Sequence, residues 1–288
     1  MYPIFLLIIS CLFFSILASI IKFNSNFVHP IEQAFFRNFI SIFLLLPFLI
    51  KKKITMPKKE NIKLLLLRGL FGGTTMILLF WSYSLIPLSQ AMAISFSTPV
   101  FIYFGSIFFF KEKPKNNLTA LMLMGFVLTL IIIRPDLNLK LGTIFALLAA
   151  ITHAITGLLV KKLSETESIP ILMFSMVLLM TPITFVPSLF FWTDPSSSNL
   201  LSILIITAIV ATLGNYFWTK SISISDLTNI MPFDFTKLLF ATTFGLLFFN
   251  EKIDYITISC GTGLIICNTI MAKINKGDDK VKRVLSDN

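Results

Sequence analysis

Charge is what this chain has least of. Lys, Arg, Asp and Glu together make up 13% of its residues, about half the 25% usual in a soluble domain. So little charge cannot supply a water-facing surface of normal polarity, which excludes an ordinary soluble globular protein. Histidine occurs twice, at His29 and His153. No second His or Cys lies at ligand spacing, which argues against a metal site. The three cysteines, Cys11, Cys260 and Cys267, all fall within apolar stretches and form neither a disulfide framework nor a CxxC pair. No Walker A sequence is found, so ATP is not expected as an energy source, and no cofactor is expected.

What the chain has instead is apolar sequence: 56% of residues are hydrophobic, 31 of them Phe, and mean hydropathy is +0.87. A membrane-spanning helix needs about 20 apolar residues. Candidate spans lie near 3–21, 33–50, 64–84, 88–110, 118–133, 141–160, 169–191, 200–219, 227–249 and 255–272. They are far longer than barrel strands of about 10 residues. The expected fold class is therefore an all-α integral membrane protein of ten transmembrane helices. The first span has no preceding positive charge and leads into further spans, so it reads as a retained helix rather than a signal peptide.

A net charge of +10 is compatible with a nucleic-acid partner, but its distribution points to the membrane. With the N-terminus in the cytoplasm, seventeen Lys and Arg fall in cytoplasmic loops and the tail, against four outside. Arg37, Arg68 and Lys237 lie within spans. This imbalance predicts that both termini are cytoplasmic.

The chain is also doubled. FFKEK at Phe109–Lys113 recurs as FFNEK at Phe248–Lys252, 139 positions on. Lys22, Pro30 and Pro47 recur at a shift of 140 as Lys162, Pro170 and Pro187, and Trp81 and Ser84 at a shift of 137 as Trp218 and Ser221. The narrow common shift divides the chain into repeats at 1–137 and 138–275, followed by a polar tail, 276–288, expected to be disordered. Five spans per repeat put equivalent helices in opposite orientations, giving two inverted five-helix repeats.

Ionisable residues at membrane depth mark candidate sites. Asp234 and Lys237 lie three apart in the ninth span and share a helix face. Pro232 just before them removes an N–H and loosens the helix there. Asp234 suits a cationic group of a substrate or a coupling proton, while Lys237 and Arg37 suit a carboxylate or phosphate. The alternatives are an Asp234–Lys237 pair that only locks helices together, and an Arg37 that snorkels to the interface. Arg68, near the start of its span and after Lys63, reads as an orientation or lipid contact. His153 is either a proton relay or a hydrogen-bonded packing residue. Trp81 and Trp218, with Tyr83 and Tyr216, read as an aromatic belt or as a stacking surface for an aromatic substrate. Asn215 and Asn229 are polar at span depth and are candidates to line a cavity. Gly69 with Gly73, and Ala146 with Ala150, have the spacing of tight helix contacts.

The segment Arg68-Gly69 and the run Trp81–Lys113, WSYSLIPLSQAMAISFSTPVFIYFGSIFFFKEK, resemble the EamA-type permeases of the drug/metabolite transporter superfamily, and within them the S-adenosylmethionine uptake carriers. The second copy departs from the pattern, carrying Pro232, Asp234 and Lys237 where the first has apolar residues and Pro99. The resemblance implies a secondary-active permease of a small polar or zwitterionic metabolite in a bacterial inner membrane. Its expected partners are that substrate and the lipid bilayer, with no nucleic acid or ATP-binding subunit, as monomer or homodimer. An exporter of the same family, a channel and an integral membrane enzyme are the competing readings. The absence of a filter-like loop and of clustered His and acidic residues weighs against the last two.

Overall fold

The structure, a computed structural model, describes residues 2–25, 27–51, 57–86, 94–113, 116–133, 140–193, 198–249 and 255–286. In hydrocarbon a backbone must satisfy its own hydrogen bonds, so long apolar stretches become helices. They are α1 (Tyr2–Asn24), α2 (Pro30–Lys51), α3 (Ile62–Leu85), α4 (Ser97–Phe110), α5 (Asn116–Ile133), α6 (Leu141–Leu163), α7 (Ile169–Ser188) and α8 (Ser198–Ser223). Then come a single turn α9 (Leu227–Ile230), a 3-10 stretch (Met231–Phe235), α10 (Thr236–Phe249) and α11 (Tyr255–Ser286). No strand occurs among the described residues. The polar stretch expected to be disordered from residue 276 enters α11 as far as Ser286.

Six described stretches are long and apolar enough to cross a membrane: Tyr2–Asn24, Lys59–Ser82, Leu141–Leu163, Ile169–Phe191, Leu200–Ser223 and Leu227–Phe248. Ser97–Phe110, Asn116–Ile131 and Ile258–Ile274 are shorter apolar helices. Phe108, Phe109, Phe190 and Phe248 stand well exposed on the outside, as a hydrocarbon solvent allows and water would not. The expected 88–110 span is described only from Ile94 onward. The Glu251-Lys252 half of the repeated motif lies outside the described residues. The span expected at 227–249 is not one α-helix, because Pro232 falls at its 3-10 interruption.

Helix directions follow from their contacts. At the start of α2, Glu32 accepts from the Thr193 backbone N–H at 3.0 Å and hydroxyl at 2.5 Å, just beyond α7. Just before α7, Glu167 accepts from the Lys58 N–H at 2.9 Å and from Asn61 Nδ2 at 2.6 Å, beyond α2. Hence α2 and α7 are antiparallel neighbours. Ser10 donates to Gly214 O, and Ser221 to Pro3 O, so α1 and α8 are antiparallel too. The α3–α6 pair is also antiparallel: Thr75 bonds Thr152, and Gly142 sits against Leu85 and Ile86. Gly125 faces Leu264, while Gly263 faces Leu128, which makes α5 and α11 antiparallel.

In contrast, α3 runs parallel to α7 and approaches it closely at Gly69 and Gly73. A Cβ on Gly69 would lie 2.5 Å from Leu179 Cβ, and one on Gly73 would lie 2.7 Å from Ile183 Cγ2. Only glycine fits there. Further packing joins α4 to α6, α1 to α10 and α2 to α8. Ala146 and Ala150 are fully buried on α6, and Ala150 O accepts from Thr98 of α4 at 3.3 Å.

Candidate functional site

The 3-10 break at Pro232 puts charge inside the helical bundle. Asp234 lies in the 3-10 stretch and Lys237 in the first turn of α10, so the lysine reaches back one turn to donate to Asp234 Oδ2 at 2.7 Å. Helix α1 covers this turn. Cys11 Sγ lies 3.7 Å from Asp234 Oδ1, and the Ser15 hydroxyl lies 3.0 Å from Lys237 O and 2.9 Å from Cys11 O. Lys237 Nζ also sits 5.4 Å from the Phe14 ring centroid, a cation–π distance.

Leu227 and Thr228, at the start of α9, donate their N–H groups to Glu112 Oε1 and Oε2 at 3.0 and 2.9 Å. Asp226, the residue before the turn, makes no side-chain cap. A carboxylate from α4's end therefore satisfies donors that a helix leaves open at its N-terminus. Lys111, with φ of 54° in the left-handed region, turns the chain to present Glu112.

Asp234 and Lys237 face a cavity of about 200 Å³ lined from α1, α2, α3, α4, α6, α7 and α8. That is below the roughly 300–1,000 Å³ of typical ligand pockets, so a metabolite-sized ligand requires it to widen. Arg37 from α2 and Arg68 from α3 line it, as do His153 and Thr156 from α6 and Asn215 and Trp218 from α8. Met76, Met176 and Met180 add three thioethers. The His153 ring lies 5.8 Å from that of Trp218. Asn215 is held by its own helix through Ala211 O at 2.8 Å.

Arg37 donates to Met76 Sδ at 3.0 Å. Arg68 donates to Leu172 O at 2.5 Å and lies 3.6 Å from Met176 Sδ, while its Nε has no partner. Neither arginine meets a carboxylate among the described residues.

Six residues expected at the site therefore meet around one cavity: Asp234, Lys237, Arg37, His153, Asn215 and Trp218. Two do not line it. Trp81 is turned towards α6 and packs on Phe145 and Phe191 at 5.3 and 6.2 Å. Asn229 lies in α9, below the break. Arg37 does not snorkel outward, being 8% exposed. The reading of Arg68 as a lipid or orientation contact is corrected: it is 1% exposed, among the largest fully buried side chains. The close approach at Gly69 turns that face of α3 inward; the Arg-Gly pair was the available signal. His29 stands apart, stacked on Phe191 at 4.0 Å, where burial lowers its pKa below the usual 6.5. No cluster of His, Cys, Asp and Glu able to hold a metal occurs among the described residues.

A multi-pass helical protein with a charged cavity at its centre is built as a carrier, and comparison with known proteins identifies which kind. The model of the EamA-like transporter family matches the chain twice, over residues 1–134 and 140–272, and the chain belongs to that family. It is a membrane transporter and not an enzyme. Among its relatives, the S-adenosylmethionine uptake transporter of Rickettsia conorii is 29% identical over 257 residues, covering 86% of this chain and 84% of that protein. The pseudopaline exporter CntI of Pseudomonas aeruginosa is 23% identical over 279 residues, covering 95% of this chain and 97% of that one. A solved crystal structure at 14% identity superposes with a TM-score of 0.78 over 94% of this chain and 96% of its own, and so shares the fold.

Proposed function

We propose that this chain carries a small zwitterionic metabolite across a bacterial inner membrane by alternating access, with S-adenosylmethionine as the first candidate. The observation that carries the reading is the cavity on which an ion pair, two further arginines and an indole converge from both halves of the chain. Asp234 suits a substrate cation or a coupling proton, with His153 beside it as a second proton site. Trp218 offers a flat face to an adenine or a sulfonium.

Two inverted five-helix units, 1–137 and 138–275, are the mechanical part of the proposal. Its support is a symmetry of packing in which α9 and α10 count as one element. Exchanging the halves converts the α3–α6 contact into α8–α1, α3–α7 into α8–α2, and α4–α6 into α10–α1. The α2–α7 and α5–α11 pairs convert into themselves, and both are antiparallel, as inversion demands. The double family match agrees with this division. The loop charges favour cytoplasmic termini.

Uptake is favoured by the Rickettsia relatives, and export is a second reading favoured by the nearly full-length match to an exporter. Counterflow in proteoliposomes tests the reading. Vesicles loaded with S-adenosylmethionine should accumulate the labelled compound saturably. No counterflow with S-adenosylmethionine, amino acids, nucleosides or riboflavin would sink it, and net flux in right-side-out against inverted vesicles decides direction.

A further inference from the structure

We infer that Arg37 and Arg68 form a carboxylate-binding wall of the cavity, separate from the Asp234 wall, so that the carried molecule is recognised through an acid group. The inference rests on the carrier reading above and specifies the substrate chemistry within it.

A guanidinium buried in an apolar bundle is costly unless an anion or good acceptors surround it. Arg37 is 8% exposed and Arg68 1%. Yet Arg37 donates its side chain to the Met76 thioether at 3.0 Å, and Arg68, beyond its one bond to Leu172 O, reaches only the Met176 thioether at 3.6 Å while its Nε is unpartnered. Thioether sulfur is a weak acceptor, whereas a guanidinium fork matches a carboxylate in two parallel bonds.

Among the described residues no carboxylate reaches either guanidinium. Asp234 is engaged by Lys237 at 2.7 Å, Glu112 by α9, Glu167 by Lys58 and Asn61, and Glu32 by Thr193. Among the described residues, three cationic side chains and one carboxylate line the cavity. Its excess positive charge sits on α2 and α3, among Met76, Met176 and Met180. Asp234 belongs to the other wall, with Cys11 and Phe233. Flexible methionines can swing aside when a stronger acceptor arrives. A ligand acid on the arginines leaves its cationic part to Asp234.

The test compares one molecule with and without its acid. In proteoliposomes, labelled S-adenosylmethionine uptake is competed with S-adenosylmethionine and with its decarboxylated form. The wild type should prefer the carboxylate-bearing competitor at least ~10-fold, the ratio a single charge-assisted contact readily supplies. In Arg37→Gln and Arg68→Gln the ratio should fall to about twofold or less, and Arg68→Lys should keep part of it by retaining charge without the fork. An undiminished ratio in both Gln variants overturns the inference.

Should the wild type take up no S-adenosylmethionine, that substrate fails alone. The wall is then read by thermal unfolding in detergent with succinate, succinamide and inorganic phosphate. Stabilisation by succinate only, lost in the Gln variants, supports the inference. No carboxylate-dependent stabilisation overturns it, as does stabilisation by phosphate without succinate. If the Gln variants do not fold, Arg37→Lys and Arg68→Lys carry the comparison, and an unchanged carboxylate preference in both counts against the wall.

Discussion

Asp234 and Lys237 hold each other at 2.7 Å with little access to solvent. Removing one partner of a buried pair strands the other charge, at a cost of about 3–5 kcal/mol, whereas replacing both with apolar groups is often neutral. A structural role and a transport role therefore separate. Asp234→Asn should abolish transport and lower the thermal midpoint in detergent. Asp234→Leu with Lys237→Met should recover the midpoint and still not transport. Transport at wild-type rate in the double variant would reduce the pair to a helix lock. These residues were legible in the sequence because charge at membrane depth is rare. Arg68 was not, although it is as deeply buried. Its nearness to Lys63 and to the start of a span matches the pattern of an orienting charge. What distinguishes it is rotation about α3, which depends on where α7 packs.

The α3–α7 contact decides that rotation, and it is built on glycine. A Cβ at Gly69 would meet Leu179 Cβ at 2.5 Å, an atom fixed to the backbone that no rotamer can move away. Gly69→Ala should force the two helices apart and destabilise the chain by about 1–3 kcal/mol, the usual cost of overpacking. Leu179→Gly in the same chain should return part of the loss, while Leu179→Ala, which keeps the Cβ, should not. Melting curves in detergent read both, and a Gly69→Ala chain as stable as the wild type would refute the tight contact. The spacing Gly69-Gly73 announced this element pair. The stretch Leu227–Phe248 was less legible. Pro232 signalled a loosened helix, but its replacement by α9, a 3-10 stretch and α10 depends on Glu112 reaching across to cap Leu227 and Thr228. The repeated Glu-Lys motif drew attention to Glu112 as a marker of duplication. Its bond to a helix 115 residues away is a long-range fact that no local pattern encodes.

For the whole molecule the same logic yields two matched fastenings. Glu32 ties the start of α2 to Thr193 beyond α7, and Glu167 ties the approach to α7 to Lys58 and Asn61 beyond α2. Because α2 and α7 are antiparallel, the fastenings lie at opposite ends of the bundle. Both are made here, and the cavity between them is small, about 200 Å³. A carrier that alternates must undo them one at a time, so each carboxylate biases the conformational balance in the opposite sense to the other. Hydrogen bonds to a charged group are worth about 1.5–3 kcal/mol, and 1.4 kcal/mol is tenfold in population. Glu32→Gln and Glu167→Gln should each shift the balance by ~10-fold, in opposite directions. A cysteine placed at Thr156, in a chain with Cys11, Cys260 and Cys267 replaced, reports this through an impermeant thiol reagent added from either face of sealed vesicles. Labelling should rise from one face in Glu32→Gln and from the other in Glu167→Gln. A rise from the same face in both variants, or in neither, would mean that these carboxylates fasten loops without governing access to the cavity.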